Sequence, residues 1–182
     1  MTNTMLRKSL LTIVGLSLAG GVAAGPASTA LAADTPATTA TAAAVQGDQS
    51  HLDLSGEQTG NLRAIIAATK KAGLDQHAAE IAVATAMQES KLQNLGHLGE
   101  ANDHDSLGLF QQRPSSGWGT EQEITNPEHA TTAFLKGLKD VDGWHQMPLT
   151  EAAQKVQVSA YPDAYAQWAT QAHDLVAQHW NS

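Results

Sequence analysis

The chain has 182 residues but no cysteine, and it has few positive charges and few aromatic side chains. Without cysteine it can form no disulfide, no thiolate metal site and no cysteine nucleophile. Ten Lys and Arg residues stand against 18 Asp and Glu residues, which gives a net charge of −8. A chain this acidic has no basic stripe to neutralise phosphates, so we expect neither nucleic acid nor an anionic membrane surface as a partner.

Residues 1–32 have the pattern of a secretory signal peptide. Arg7 and Lys8 form a short positive region, residues 10–24 are apolar and small, and Ala30-Leu31-Ala32 supplies a small-x-small cleavage site. The apolar run is too short and too glycine-rich to be a good membrane span. We therefore expect a secreted protein without a membrane anchor. Its net charge would be −10, because residues 1–32 carry two cations and no anions.

A low-complexity segment follows the predicted signal peptide. Residues 33–51 begin ADTPATTATAAAVQGDQ and consist largely of Ala, Thr and small polar residues. This composition buries too little apolar surface to offset the entropy lost on ordering. We expect residues 33–51 to be a disordered linker and residues 52–182 to be one domain, stabilised by its core alone.

The spacing of apolar residues in this domain is helical almost throughout, which predicts a mainly α fold of about five helices. The first helix is expected from about 56 to 72, with Gly73 at the C′ position that favours glycine. Asp75 can cap a second helix, whose apolar face follows the 3–4 spacing as far as Glu89.

Three further helices are predicted after a long connection. Asn126-Pro127, a cap followed by a first-turn proline, can begin the third helix, and Thr150 can cap the fourth. The fifth is expected from about 162 to 179. The second and third helices are separated by about 35 residues rich in Gly, Asn, Asp, Ser and Pro, which predicts a loop or a small β region. So long a connection in a compact domain is more often functional than idle.

Glu89 is the residue that most clearly indicates chemistry. It lies on the apolar stripe of the second helix, in the expected last turn. Partial burial disfavours the charged carboxylate, and the negative end of the helix dipole acts in the same direction. A carboxyl group in this position would tend to stay protonated near neutral pH, as a general acid must. The alternative is a glutamate that simply points into solvent.

Two short motifs give Glu89 a recognisable context. Ala86-Met87-Gln88-Glu89-Ser90 is followed, after a polar loop, by Ser106-Leu107-Gly108-Leu109-Phe110-Gln111-Gln112-Arg113-Pro114. The pair resembles the lysozyme-like superfamily and, within it, the soluble lytic transglycosylases, in which a helix-terminal E-S precedes S-x-G-L-[MF]-Q-x-x-P. The resemblance covers about Ile81–Trp118 and is weaker beyond. The segment NDHDSLGLFQQRPSSGWGT is also similar to a segment of secreted actinobacterial proteins that contain a lysozyme-like domain.

The resemblance implies an α+β lysozyme-like fold with helices around a cleft. It implies that Glu89 protonates the glycosidic oxygen between N-acetylmuramic acid and N-acetylglucosamine in peptidoglycan. The substrate-binding residues that it implies are Ser90, Ser106, Gly108, Leu109 and Gln111. Gly108 suits a close backbone approach to a ligand, and Gln111 can offer donors and an acceptor to a sugar. Taken alone, Gly-Leu-Phe-Gln would indicate only a buried β-segment.

A second carboxylate would decide between transglycosylation and hydrolysis. Glycosidases normally use two carboxyl groups, but Ser106 occupies the position that holds the second one in animal lysozymes. This difference favours a transglycosylase, in which Glu89 acts first as acid and then as base, and the muramyl 6-hydroxyl attacks to form a 1,6-anhydro sugar. Asp103 and Asp105 lie just upstream, where goose-type lysozymes also place acidic residues. A hydrolase that uses one of them therefore stays open.

The segment Asn102-Asp103-His104-Asp105 also invites a metal interpretation. Asp and His alternate there, but we find no further ligands at the spacing of a metal site, and no H-E-x-x-H or EF-hand pattern is present. These residues are also common turn formers. We therefore predict no metal and no cofactor.

Two aromatic residues are further candidates for substrate binding. Trp118 lies between Gly117 and Gly119, so its ring can either face a sugar or wedge the loop against the core. Tyr161 is compared with the tyrosine of the A-Y-N segment that many lytic transglycosylases place near their glutamate. Pro162 replaces the asparagine of that segment, which leaves helix packing as the alternative role of Tyr161.

Two functional classes follow. The first is a secreted, cell-wall-associated enzyme that cleaves peptidoglycan glycan strands, acts as a monomer and contacts no nucleic acid or membrane. The second is a glycan-binding or regulatory protein on the same scaffold, because a fold does not guarantee its chemistry. The presence of Glu89 together with the whole second motif favours the enzyme.

Overall fold

The computed structural model describes residues 48–99 and 104–182. Within these ranges the chain forms six α-helices, which confirms the mainly α class. They are α1 (Gly56–Lys71), α2 (Gln76–Ser90), α3 (Glu121–Ile124), α4 (Pro127–Lys139), α5 (Leu149–Gln157) and α6 (Ala169–His179). Short 3₁₀ turns cover Pro114–Ser116, Trp144–Gln146 and Ala166–Trp168. The expected signal peptide and most of the expected linker lie outside the described residues.

The predicted helix starts are confirmed where a side chain can cap the first turn. Asp75 accepts a hydrogen bond from a backbone N–H of the first turn of α2, and Asn126 does the same for α4. Ser55 and Gln58 form a reciprocal capping box at α1. Gly73 follows α1 with a φ of 70°, as its expected C′ position requires.

Three local predictions were wrong. Thr150 does not cap α5: the helix begins one residue earlier, and the Thr150 hydroxyl donates to the Pro162 carbonyl. The last helix does not begin near 162, because α6 starts at Ala169 after a 3₁₀ turn. The connection after α2 contains the short helix α3, which the periodicity did not indicate.

The small β region is reduced to one contact in the described part of that connection. Leu107 and Gln112 form an isolated antiparallel bridge, with two backbone hydrogen bonds of 2.9 and 3.0 Å between them. A turn of four residues separates them. The motif resembling S-x-G-L-F-Q is therefore a tight hairpin-like turn rather than a strand.

Helix α2 forms the centre of the domain and contacts α1, α4, α5 and α6. All residues from Ile81 to Met87 are buried, and four of these seven side chains are Ala or Thr. Small side chains allow neighbouring helices to approach closely, and the larger Leu, Ile and Phe residues of the other helices fill the space between them. The carboxyl end of α2 is consequently held in a rigid surrounding.

Two residues just before the predicted domain boundary contact the folded helices. Ser50 donates its backbone N–H to the Gln167 carbonyl at 2.8 Å and its hydroxyl to the Gln167 side chain. Gln49 binds the carbonyl of Ala166 and the N–H of Thr170. Residues 49 and 50 are thus attached to the 3₁₀ turn before α6 and to the first turn of α6. Among the described residues, no helix combines the length and apolar character needed to cross a bilayer.

Candidate active site

The carboxyl end of α2 is fixed by an unusual change of chain direction. Lys91 and Leu92 both adopt left-handed backbone conformations, with φ of 55° and 59°. Their carbonyl groups accept hydrogen bonds from two side chains of α1, Gln58 at 2.7 Å and Asn61 at 2.9 Å. These bonds compensate for the strain of two consecutive non-glycine residues in this region. The end of α2 and the two residues after it are therefore held in a defined conformation.

Glu89 lies in the last turn of α2 and is half-buried. The hydroxyl of Tyr165 donates a hydrogen bond to Glu89 Oε1 at 2.8 Å. The two residues are 76 positions apart in the chain, so packing of α2 against the segment before α6 brings them together. The contact fixes the orientation of the carboxyl group.

Tyr165 is fully buried, and its environment keeps the phenol neutral. Burial raises the pKa of Tyr165 far above its usual value, and the neighbouring charge and hydrogen bond of Glu89 raise it further. A side-chain hydrogen bond with Ser159 has the opposite, smaller effect on this pKa. Tyr165 consequently keeps the proton that it donates to Glu89.

Lys91 places a positive charge beside Glu89. Its Nζ lies 4.4 Å from the centroid of the Trp168 ring, within the range of a cation–π contact. Partial burial lowers the pKa of Lys91, and the charge of Glu89 opposes that shift. Trp168 is held in turn, because its Nε1–H donates to Gln88 Oε1 at 2.8 Å.

The second motif is attached directly to the end of α2. The buried Ser90 hydroxyl donates to the Leu109 carbonyl at 2.8 Å. Gly108 has a φ of 71°, and a Cβ at this position would collide with the carbonyl oxygen of Ile124. Glycine is thus required at 108 for the close approach of this turn to Ile124 at the end of α3.

The residues of this turn take different positions. Ser106 and Leu109 are buried, the latter completely, so the Leu109 side chain belongs to the core. Gln111 is half-exposed, with a φ of 47°, and its amide donates to the Gly108 carbonyl at 3.2 Å. Gln157 from the end of α5 donates to the Phe110 carbonyl at 2.9 Å. Gln111 is therefore the side chain of this turn that can still reach a ligand.

Asp105 braces the loop that follows. Its Oδ1 accepts hydrogen bonds from Arg113 Nε at 2.7 Å and from the Ser115 hydroxyl at 2.9 Å, and its Oδ2 accepts from the Ser115 N–H at 2.7 Å. Partial burial would raise the pKa of Asp105, but these donors outweigh it and hold the pKa well below its usual range. Asp103, the other candidate for a second carboxylate, lies outside the described residues.

The two aromatic candidates differ in their surroundings. Tyr161 is 41% exposed, and Tyr165, not Tyr161, contacts Glu89. The missed signal was available, because Ala164-Tyr165 repeats the Ala-Tyr pair of Ala160-Tyr161 four residues later. Trp118 packs half-buried against the core, one of its two expected positions, and also lines a surface pocket on α4.

A histidine pair surrounds a second glutamate of α2. Glu80 Oε1 lies 2.9 Å from His173 Nδ1, and Glu80 Oε2 lies 3.7 Å from His77 Nδ1. Burial would raise the pKa of Glu80, but hydrogen bonds with the two histidines lower it overall. Over residues 48–99 and 104–182, no three His, Asp or Glu side chains are arranged as a metal site.

Models of known protein families give no match to this chain. A search of curated proteins gives no match either.

Proposed function

We propose that this protein is a secreted enzyme that cleaves the β-1,4 bond between N-acetylmuramic acid and N-acetylglucosamine in peptidoglycan. In this proposal Glu89 is the catalytic acid and base, and the domain has the lysozyme-like cleft that its two motifs imply. The observation that carries the proposal is the Glu89–Tyr165 contact at a rigid helix end, beside a turn anchored by Ser90.

The contact suits a carboxyl group that must both give and take a proton. Tyr165 donates a hydrogen bond to Glu89 Oε1, and the raised pKa of the buried phenol keeps the proton on Tyr165. An orienting donor of this kind keeps the reacting group within the narrow geometry that proton transfer requires. A glutamate serving only solubility would have no reason to be held by a buried tyrosine.

The surroundings offer the remaining parts of a sugar site. Gln111 presents a half-buried amide on the anchored turn, and amides pair well with hydroxyl and N-acetyl groups. Lys91 supplies a positive charge for the free carboxylates of wall peptides. Trp168 lies beneath the Lys91 ammonium and keeps it in place.

The environment of Asp105 favours transglycosylation over hydrolysis. Its two oxygens already accept three hydrogen bonds within the loop, so it suits bracing rather than activation of water. The proposed reaction then needs Glu89 alone. Glu89 gives its proton to the glycosidic oxygen as the C1–O bond breaks, and the resulting carboxylate takes the proton of the muramyl 6-hydroxyl as O6 bonds to C1. A 1,6-anhydro end forms, and no water is consumed.

The decisive experiment is digestion of purified peptidoglycan followed by mass spectrometry of the released muropeptides. We expect anhydro-muramyl ends from the wild-type protein. Glu89→Gln should lower product release by at least about a hundredfold, because general acid–base catalysis contributes about 10²–10⁴-fold. Circular dichroism should show unchanged folding, since the replacement keeps the shape of the side chain.

Glu80→Gln is the matched control, because it removes a half-buried glutamate from the same helix. This variant should retain its activity. Reducing ends in place of anhydro ends would instead identify a hydrolase and point to a second carboxylate. Full activity of the Glu89→Gln variant would overturn the assignment of the acid, and binding of glycan without any product would identify the non-catalytic binding protein.

A further inference from the structure

A second concave surface lies on α4, away from the Glu89–Tyr165 pair. It has a volume of about 350 Å³, near the lower end of the range for small-molecule sites. Its described lining comes from the turn before α3 and from one face of α4, and it includes neither Glu89, Tyr165 nor Gln111. The lining residues are Gly117, Trp118, His129, Thr132, Ala133, Lys136, Gly137 and Asp140.

Trp118 is held at this surface by the backbone around it. Gly117 and Gly119 have φ of 79° and 142°, values that other residues rarely adopt. The backbone N–H of Trp118 donates to the Arg113 carbonyl. The Arg113 side chain is itself held by Asp105. The Asp105 brace therefore positions the indole as well as the loop.

The indole lies against α4 beside Gly137. A Cβ at Gly137 would be crowded by a methyl group of Val156 at 3.1 Å, and it would meet the Trp118 ring only in ordinary van der Waals contact at 3.9 Å. Glycine at 137 therefore serves the close packing of α4 against α5, and the Trp118 ring covers the same position from the other side. The ring forms one wall of the pocket, and Ala133 on the next turn of α4 adds only a methyl group.

The polar lining residues carry charges of both signs. Lys136 and Asp140 lie one turn apart on the same face of α4, and Thr132 lies one turn before Lys136. An aromatic wall combined with separate donors and acceptors suits the face of a pyranose, whose hydroxyl groups both donate and accept. It suits a phosphate poorly, because the carboxylate of Asp140 offsets the ammonium of Lys136.

We propose that this pocket is a second carbohydrate-binding site, which takes one N-acetylated sugar unit of a glycan strand against Trp118. The inference rests on the proposed function for the identity of the glycan. Its role is to hold the strand while Glu89 acts, or after cleavage. Such a site would give the acidic domain an attachment to the wall that does not depend on net charge.

The test is an NMR titration of the ¹⁵N-labelled Glu89→Gln protein with the N-acetylglucosamine tetramer. The chain has four tryptophans and therefore four indole N–H groups, and the signal that disappears in Trp118→Phe is that of Trp118. We expect the Trp118 signal to move on addition of the tetramer. Lys136→Gln should weaken this binding by about three- to tenfold, as the loss of one hydrogen bond predicts.

Lys139→Gln is the matched control, because Lys139 is exposed on the same helix and does not line the pocket. It should leave the affinity unchanged. The Trp168 signal reports on the Glu89 site, since Trp168 contacts Gln88 and Lys91. Movement of Trp168 without Trp118 would overturn the pocket proposal and leave the enzyme proposal standing.

The opposite pattern separates the two proposals as well. If Trp118 moves and the wild-type protein releases no muropeptides, the pocket is a binding site and the enzymatic function is wrong. If no indole signal moves at millimolar tetramer, the pocket proposal fails. A shift of Trp118 that Lys136→Gln and Lys139→Gln weaken equally would also contradict it, because the effect would then reflect charge alone.

Discussion

Two glutamates of α2, nine residues apart, are built into opposite kinds of surroundings. Glu80 faces two histidines, and their hydrogen bonds lower its pKa despite its burial. Glu89 faces the hydroxyl of a buried tyrosine that stays neutral. Glu80 is stabilised by hydrogen bonds and charge attraction with its two histidines. Glu89 is oriented by the hydroxyl of Tyr165, which does not take its proton.

One helix thus contains a glutamate suited to a structural role, Glu80, and a glutamate suited to a chemical role, Glu89. An ion pair secures a charged carboxylate and links two elements, here α2 and α6 through Glu80 and His173. A neutral donor orients the carboxyl group without adding a second charge to it. The following predictions separate these two roles, beginning with the largest effect.

Tyr165→Phe removes the orienting hydrogen bond and leaves the aromatic ring in the core. Because a hydrogen bond to a charged group contributes roughly 1.5–3 kcal/mol, we expect muropeptide release to fall by about tenfold to a hundredfold. The rate of release at saturating peptidoglycan is the measurement. A rate equal to the wild-type value would show that the Tyr165 contact is only structural.

Tyr161→Phe is the control for this variant, since the chain has only these two tyrosines. Tyr161 is exposed, and its backbone N–H donates to the Ser159 hydroxyl. Because the Glu89 carboxyl group is bound by Tyr165 and not by Tyr161, the rate should not change. Equal losses in both variants would indicate a general effect of removing a phenol. That result would also restore Tyr161 as the tyrosine of the site.

The Glu80 pair should make stability depend on pH in a defined direction. The hydrogen bond with Glu80 raises the pKa of His77 above its ordinary value of 6.5, although burial opposes it. A raised histidine pKa stabilises the fold fully below the unfolded value, and the contribution is lost as pH rises through the folded value. The lowered pKa of Glu80 stabilises the fold above about 4.5 and fails as pH falls.

Glu80→Gln should therefore lower the free energy of unfolding by roughly 0.5–1 kcal/mol at pH 6 and by less at pH 8.5. Urea unfolding at the two pH values measures the difference. Glu151→Gln, which removes an exposed carboxylate 3.9 Å from Lys155, should show little effect at either pH. A Glu80→Gln effect that is the same at pH 6 and pH 8.5 would contradict the role assigned to His77.

The smallest expected effect concerns Lys91. The net charge of this chain opposes approach to an anionic wall, and Arg113, the other cation near the motifs, already pairs with Asp105. Lys91→Gln should weaken binding to peptidoglycan by about two- to threefold at low salt, and the deficit should disappear as salt screens charge. Sedimentation with insoluble peptidoglycan measures it. A loss of the same size in Lys139→Gln would assign the effect to total charge.

Local signals predicted the elements on which the site is built. The caps at Asp75 and Asn126 and the C′ glycine at 73 were predictable, because each depends on residues within three or four positions. The same reasoning placed Glu89 in the last turn of α2. It failed at Thr150, whose hydroxyl binds a carbonyl twelve residues away instead of the first turn of its helix.

Contacts between distant parts of the chain decided the rest. Periodicity could not distinguish Tyr161 from Tyr165, because only the packing of α2 against residues 165–168 selects which phenol meets Glu89. Asp105 could not be recognised as a brace, since its environment is created by the turn that returns Arg113 and Ser115 to it. Both outcomes depend on the closure of loops, which no local pattern records.

The absences noted at the start have separate consequences. The sequence by itself determined that the domain has no disulfides, because it has no cysteine, and that it is mainly α, because its apolar residues follow a helical period. The tertiary structure alone decided which side chains surround Glu89, and it created the pocket between Trp118 and α4. The physical reason is range: propensity and capping act over one helical turn, whereas a site is made where turns from different parts of the chain pack together.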